Sequence, residues 1–389
     1  MTTLPKYKVV HPFYHSKPGI LRLGDMVDFS FEIEDADGCI KQLVSYLDGN
    51  HTIEEIYERL MRDFPSLTIE DVSDAVESID ELGFLYDESE EKSIALTADE
   101  RKRYKGNLNY FSFFSNLAVP PSHFQQKLNE ANVTILGMGA FGCSILFNLA
   151  GLGVKKVRIV DFDHVELSNL NRQMLFNEQD LGKLKVDAAK NFMNSFFSEM
   201  EIEAINKEIS SQEDVEELIS GSDVVVVCAD QPPAAIQRWI NKACVEMNIP
   251  FFGGGINLTM GSLFGVIPGE TACLDCDLYQ HGQMSNDIPS IVERFFETNF
   301  IPPNNAIAPN LMIITGMVAA EVMNYITGMD KLISPGKSIR FDFRTMEKKV
   351  LREIPRYEEN CPTCGKGVGS SPIFEAFNNS DFIRKPVKR

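Results

Sequence analysis

The stretch VTILGMGAFG, residues 133–142, passes from an apolar run into Gly137, Gly139 and Gly142. A G-x-G-x-x-G spacing between a strand and a helix is typical of a loop whose backbone amides hold phosphate at the helix N-terminus. The motif alone is weak, because it fits a redox dinucleotide, a nucleotide that is cleaved, or no ligand at all. The residues that follow it must decide between these possibilities.

Strand-like and helix-like segments alternate from Val133 onward. VTILG, KVRIV and DVVVVCAD have the composition of buried strands, and helical segments separate them. This alternation predicts an α/β fold with a doubly wound, mostly parallel, Rossmann-like sheet, whose ligands bind at the carboxyl ends of the strands. Asp161 ends the second strand, roughly twenty residues past the loop, where a carboxylate bonds ribose hydroxyls.

Length and charge limit the class of protein. A chain of 389 residues suits two domains. A net charge of −19 opposes a nucleic acid or an anionic membrane as the main partner. No apolar stretch is long enough to cross a bilayer, and residues 1–20 lack an apolar signal core. We therefore expect a cytoplasmic protein.

Residues 1–95 are predicted to form a separate winged-helix-like domain, followed by the larger α/β domain over 96–389. A hairpin signal precedes two helices that begin with capping-box patterns at 52–55 and 68–71, and FLYD predicts a closing strand. The second helix is strongly acidic and has no lysine or arginine, which favours a bound peptide over DNA. A packing or dimerisation role is the alternative. The charged residues 89–105 predict a linker.

The segment after Asp161 departs from a dehydrogenase. Asn169, Arg172, Gln173 and Lys185 follow within a short span, and the third strand ends at Asp230. Two cations and two amides suit a triphosphate that is attacked at its inner linkage, because negative charge develops on the leaving pyrophosphate. Asp230 is placed as a natural Mg²⁺ ligand. Each residue singly also fits an exposed salt-bridged loop, but that interpretation accounts poorly for all five together.

The stretches GMGAFG, DFDHVELSNLNRQ, GKLKVDAA and CAD resemble the ThiF-like adenylyltransferases, which activate ubiquitin and the sulfur carriers of molybdopterin and thiamine biosynthesis. The resemblance implies a homodimeric enzyme that makes an acyl adenylate from a peptide carboxylate and ATP, with release of pyrophosphate. It also implies that Arg172, Lys185 and Asp230 carry the chemistry and that Asp230 positions Mg²⁺. The nucleotide site implied in this way consists of Gly137, Gly139, Gly142, Asp161, Asp163, Asn169, Arg172, Gln173, Lys185 and Asp230.

Four of the eight cysteines form two C-x-x-C pairs, Cys273 with Cys276 and Cys361 with Cys364. In a reducing compartment this pairing favours a metal over disulfides, and four thiolates predict a closed structural zinc site. Residues 277–305, which lie between the pairs, resemble the crossover loop that covers the bound peptide. That loop contains no cysteine, so the thioester nucleophile of the ubiquitin-activating type is not expected.

The N-terminal module resembles precursor-peptide recognition domains. RYKGNLNYFSFF and RFFETNFIPPNNAIAPN resemble segments of the microcin-type peptide adenylyltransferases. The resemblance implies ATP- and Mg²⁺-dependent adenylylation of a carboxylate on a ribosomal precursor peptide, in bacteriocin- or microcin-like antibiotic biosynthesis. One departure is Gly106, which stands where the family has the second arginine of RYxR, a residue that reaches the partner subunit's ATP. Arg103 or Lys105 compensates, or this contact is missing.

Three other functions stay open at this point. One is a non-catalytic scaffold that binds a leader peptide and delivers the precursor to a partner enzyme. Another is an enzyme that activates a ubiquitin-like sulfur carrier. An NAD oxidoreductase is the remaining alternative, but no histidine or tyrosine can be placed as its catalytic residue.

Overall fold

A computed structural model describes residues 3–233, 235–284 and 304–368, together with Phe374. The chain divides into two compact units, Met1–Leu128 and Asn129–Arg389.

The first unit combines helices with two small antiparallel sheets. Strands β1 and β5 form one sheet, and β2, β3 and β4 form the other in that order. The strands are β1 (Pro5–Tyr7), β2 (Phe13–Lys17), β3 (Ile20–Met26), β4 (Phe29–Glu34) and β5 (Leu85–Asp87). The helices are α1 (Cys39–Tyr46), α2 (Ile53–Leu60), α3 (Ile69–Glu81), α4 (Glu88–Ser93), α5 (Ala98–Arg103), α6 (Lys105–Ser112) and α7 (Pro121–Glu130).

Local signals place α2 and α3. Thr52 and Thr68 are their N-caps, and each helix begins with a complete capping box, in which the threonine side chain and an acidic residue satisfy two backbone amides. Behind these caps, Ile56 and Val76 point into a shared core that also contains Phe84. The helix starts predicted from the sequence are confirmed, as is the closing strand.

The predicted linker at residues 89–105 is wrong. This segment contains α4 and α5 and the start of α6. Glu91 is buried and accepts hydrogen bonds from the Arg101 guanidinium and from the backbone amide of Ser122, the latter at 2.8 Å. Charged side chains of this segment therefore pair with each other inside the unit, whereas the sequence pattern predicted a solvent-exposed linker. The domain boundary at residue 95 stays a prediction, and it lies inside the first compact unit.

The second unit is built on an eight-stranded sheet in the order β13-β12-β11-β10-β9-β6-β7-β8. The five strands from β10 to β8 run parallel, and β11, β12 and β13 add antiparallel pairs at one side. The central strand β9 is the fully buried run VVVV, as expected for a strand covered on both faces. The strands are β6 (Asn132–Leu136), β7 (Lys156–Val160), β8 (Glu201–Ile205), β9 (Val224–Val227), β10 (Phe251–Asn257), β11 (Met260–Val266), β12 (Lys337–Asp342) and β13 (Glu347–Glu353).

Helices cover this sheet and connect its parallel strands. They are α8 (Ala140–Leu152), α9 (Lys185–Phe196), α10 (Gln212–Ile219), α11 (Ala235–Glu246), α12 (Leu274–Met284) and α13 (Ala308–Thr327). The apolar α13 packs against α8, and the hydroxyls of Ser144 and Thr315 lie 2.6 Å apart across that contact. Among the described helices none combines the length and apolar character that a membrane crossing requires.

Candidate nucleotide site and cysteine cluster

The glycine loop lies between β6 and α8, as the sequence predicts. Gly137 has a φ of 99°, and a Cβ built on it would lie 2.7 Å from the backbone nitrogen of Ala229, just past β9. A Cβ on Gly142 would lie 2.0 Å from the carbonyl oxygen of Gly137. Both positions therefore require glycine for close backbone packing.

Gly139 is different, because a Cβ on it would meet no described atom within 4 Å. It is the N-cap of α8, and no side chain caps this helix end. The first amides of this 13-residue helix therefore have no capping side chain. This is the arrangement that binds an anion at a helix N-terminus.

Asp161 connects the glycine loop to the loop that follows β7. Its Oδ2 accepts the Met138 amide at 2.7 Å, and its Oδ1 accepts the Asp163 amide at 2.8 Å. The ribose contact stays a prediction, and each oxygen retains a second lone pair for it. The sequence does not reveal the role of Met138, because the group involved is its backbone amide.

Lys185 is the first residue of α9, and its side chain is 8% exposed. Its ammonium lies 2.9 Å from the Asp163 carboxylate, and its backbone amide donates to the Asp163 carbonyl, also at 2.9 Å. The structure therefore brings Asp161, Asp163 and Lys185 together in one hydrogen-bonded chain.

Asn169, Arg172 and Gln173 occupy the turns after β7. Asn169 shapes the turn, because its side-chain oxygen accepts the Glu166 amide at 3.1 Å. Arg172 donates a hydrogen bond from Nη1 to the Ser168 carbonyl, but its Nε is buried without a partner in the described part of the chain. The Oε1 of Gln173 is likewise buried and unpaired there. Buried polar atoms without partners are costly, so these two side chains have capacity for a ligand.

Asp230 is exposed and directly follows Ala229, whose backbone contacts the Gly137 position. This places a carboxylate at the end of β9, beside the glycine loop. An exposed carboxylate next to a phosphate-binding loop fits Mg²⁺, which takes one or two carboxylates together with phosphate oxygens. The assignment of Asp230 as the Mg²⁺ ligand stays a prediction.

The two C-x-x-C pairs meet in space. The sulfur atoms of Cys273, Cys276, Cys361 and Cys364 all lie within 4.8 Å of one another, and the pairs 273–361 and 276–364 are 3.5 and 3.4 Å apart. Four thiolates bound tetrahedrally to zinc at the usual distance are ~3.8 Å apart. The cluster therefore fits zinc, although other thiophilic metals share this geometry.

A buried carboxylate supports this cluster. Asp275 lies between two of the cysteines, is fully buried, and pairs with Arg238 of α11 at 3.2 Å. It also accepts the Thr363 hydroxyl at 2.7 Å, and so links the two C-x-x-C segments. Asp275 is not among the residues predicted from the sequence; the available signal was an acidic side chain between the two cysteines of CLDC.

The glycine loop and three of the four clustered cysteines lie in a region that matches a known protein family. The model of the ThiF family matches residues 106–363, well over half of the chain. This chain belongs to the ThiF family.

Named relatives agree with this membership. The chain is 35% identical over 170 residues to the NEDD8-activating enzyme E1 catalytic subunit of Saccharomyces cerevisiae, a match that covers 41% of this chain and 55% of the yeast subunit. It therefore spans about half of that relative's length. It is 30% identical over 245 residues to the sulfur carrier protein ThiS adenylyltransferase of Bacillus subtilis, covering 62% of this chain and 67% of that protein. Family membership and such homologues support an adenylyltransferase activity.

The fold is similar to that of Escherichia coli MccB, solved with AMPCPP and selenomethionyl MccA. The TM-score is 0.72 at 22% identity, over 93% of this chain and 99% of the MccB chain. This likeness confirms the predicted α/β fold, and at 93% of this chain it extends into the N-terminal unit.

Gly106 and the predicted crossover loop are the other two features expected from the sequence. Gly106 lies in the first turn of α6, beside the exposed Lys105 and next to the buried Tyr104. The predicted crossover loop begins with the last part of α12, residues 277–284, and its residues 285–303 lie outside the described part of the chain.

Cys143 is packed within α8, and its thiol contacts the Met138 carbonyl at 3.6 Å. Burial raises the pKa of this thiol to about 12. A thiol with so high a pKa is a poor nucleophile near neutral pH, which agrees with a packing role.

Proposed function

We propose that this protein uses ATP and Mg²⁺ to adenylylate a carboxylate of a ribosomally made precursor peptide. The observation that carries the proposal is the hydrogen-bonded chain that joins the glycine loop to Lys185 through Asp161 and Asp163, with Asp230 just past the carboxyl end of the adjacent strand β9. Arg172 and Gln173, in the turns after β7, add buried atoms without partners in the described part of the chain. Ligands bind at this edge of doubly wound sheets.

The chemistry follows from the charges at this edge. A carboxylate oxygen of the peptide attacks the α-phosphorus of ATP and forms a P–O bond. The bond from the α-phosphorus to the bridging oxygen breaks, and its electron pair leaves with pyrophosphate. We infer that Arg172 and Lys185 stabilise the charge that develops on this leaving group. Asp230 would hold Mg²⁺, which neutralises phosphate charge when it is bound.

A peptide substrate is supported by the N-terminal unit. MccB, whose fold resembles this chain over nearly its whole length, was solved with MccA and is described as a microcin C7 biosynthetic enzyme. The sheet β2-β3-β4 has β2 and β4 at its two edges, and such edges accept an extended peptide by strand addition. We infer that the leader of the precursor binds this unit, and that the protein acts as a homodimer.

A second candidate function has its own support. The identity with the ThiS adenylyltransferase favours a ubiquitin-like sulfur carrier as the substrate. Both candidates use the same nucleotide site and differ only in the protein that donates the carboxylate.

The decisive assay measures pyrophosphate release and a mass increase of the substrate. The purified protein is incubated with ATP, Mg²⁺ and the peptide encoded by a short reading frame beside its gene, or with a ThiS-type carrier. Asp230→Asn should lower release at least a hundredfold, whereas Asp330→Asn, in an exposed loop, should not change it. Turnover with the carrier alone would favour the second candidate. Peptide binding without any turnover would favour the scaffold.

A further inference from the structure

We propose that Asp161 and Asp163 act as positioning residues that fix the glycine loop and the Lys185 ammonium relative to each other, independently of any contact with ribose. This inference rests on the proposed function and deepens the account of its nucleotide site.

The first link is made by the Asp161 carboxylate. It accepts the Met138 amide in the glycine loop through one oxygen and the Asp163 amide through the other, at 2.7 and 2.8 Å. The backbone amide of Asp161 is itself held by the Ile205 carbonyl at the end of β8. A single carboxylate therefore joins the segments after β6 and β7 through protein contacts alone.

The second link is made by Asp163. Its carbonyl accepts the Lys185 amide and its carboxylate pairs with the Lys185 ammonium, both at 2.9 Å. Two contacts from one residue fix both the start of α9 and the direction of its first side chain. Because Lys185 is nearly buried, a charge-assisted hydrogen bond holds it more firmly than a surface ion pair would.

On its other side, the glycine loop packs tightly against the backbone that follows β9. The backbone past β9 approaches Gly137 so closely that a Cβ there would lie 2.7 Å from Ala229, and the Gly137 amide donates to the Val160 carbonyl at 2.8 Å. The loop therefore sits between the end of β9 and the Asp161 carboxylate. Loss of the carboxylate should release the loop even where no ribose is bound.

Hydrogen exchange of the protein without nucleotide tests this positioning role directly. Asp161→Asn keeps the shape of the side chain but replaces one acceptor by an NH₂ group. We expect amide exchange in a peptide covering residues 133–142 to become at least tenfold faster in this variant. Asp187→Asn, which removes an exposed carboxylate from the first turn of α9, is the matched control and should leave this exchange unchanged. Unchanged exchange in Asp161→Asn would overturn the proposal.

Nucleotide binding separates positioning from ribose recognition. Calorimetry with Mg²⁺ compares ATP with 2′,3′-dideoxy-ATP for the unaltered protein, Asp161→Asn and Asp163→Asn. Positioning predicts that each variant binds both nucleotides about tenfold more weakly than the unaltered protein does. A loss that disappears with the dideoxy nucleotide would reduce Asp161 to a ribose ligand and overturn the inference alone. Absence of ATP binding by the unaltered protein would overturn the proposed function and this inference together.

Discussion

Gly139→Ala separates the stability of the glycine loop from its function. Gly139 has a φ of −72°, which alanine adopts freely, and its Cβ would meet no described atom within 4 Å. We therefore expect the free energy of unfolding to change by less than about 1 kcal/mol, because the lower entropy of the unfolded alanine chain offsets the preference of a helix N-cap for glycine over alanine. The new methyl group would, however, occupy the space in front of the α8 amides. Loss of one charge-assisted contact to phosphate costs about 1.5–3 kcal/mol, which weakens ATP binding roughly ten- to hundredfold.

Gly137→Ala is the comparison, because it should fail for the opposite reason. A residue with a side chain at a φ of 99° is strained by about 1–2 kcal/mol. The Cβ would also press against the backbone of Ala229 at 2.7 Å, where no flexible side chain can move aside. We expect a loss of more than about 3 kcal/mol in stability.

Urea denaturation and calorimetric titration with ATP and Mg²⁺ measure both quantities on the same samples. A folded Gly139→Ala protein that binds ATP as tightly as the unaltered protein would refute the inference that phosphate approaches this helix end. A Gly137→Ala protein of unchanged stability would refute the packing argument.

Four further predictions concern the cysteines and the buried charges. The purified protein should contain one zinc per chain by elemental analysis, and Cys361→Ser should lose both metal and stability; a metal-free protein of equal stability would contradict this. Iodoacetamide at pH 8 should label Cys143 far more slowly than the less buried Cys39, because a pKa of about 12 leaves a thiolate fraction on the order of 10⁻⁴; equal labelling in mass spectra would contradict it. Glu91→Gln should cost about 1–2 kcal/mol in urea denaturation, because Ser122 and the half-buried Arg101 guanidinium lose the charged acceptor that both contact; an unchanged midpoint would contradict this. Burial lowers the pKa of Lys8 from 10.5 to about 8, so between these pH values the unfolded chain binds more protons than the folded protein. The free energy of unfolding of the unaltered protein, relative to that of Lys8→Met, should therefore rise by ~2 kcal/mol from pH 8 to 10. A fall over this range in urea denaturation would contradict the lowered pKa.

The parts of the fold that the sequence predicts are those with local causes. The strand, glycine turn and helix of residues 133–142 follow from an apolar run and from backbone conformations that glycine allows. Capping boxes likewise depend on residues three apart, so the starts of α2 and α3 are legible in the sequence. Four cysteines in two pairs indicate a cluster because thiolates have few other uses in that spacing.

The errors and omissions arise where the partner is distant or is a backbone group. Glu91 and Arg101 resemble a solvated linker, because the sequence shows two charges but neither their ion pair nor the burial of Glu91. The contact between Asp161 and the Met138 amide leaves no signature, since any residue supplies an amide. Asp275 was overlooked because its partner Arg238 lies on another helix, 37 residues away.

The pattern of satisfied and unsatisfied groups separates two kinds of residue in the site. Both oxygens of Asp161 and the ammonium of Lys185 already have protein partners, so these groups hold the loops in place before any ligand arrives. Arg172 and Gln173 retain buried atoms without protein partners among the described residues, so a ligand that reaches them gains a donor and an acceptor. Binding energy gained at such atoms exceeds that of exchanging an existing partner, because no protein contact has to be broken first. We therefore expect substitutions of Arg172 to change nucleotide affinity with little effect on stability, and substitutions of Asp161 to change both.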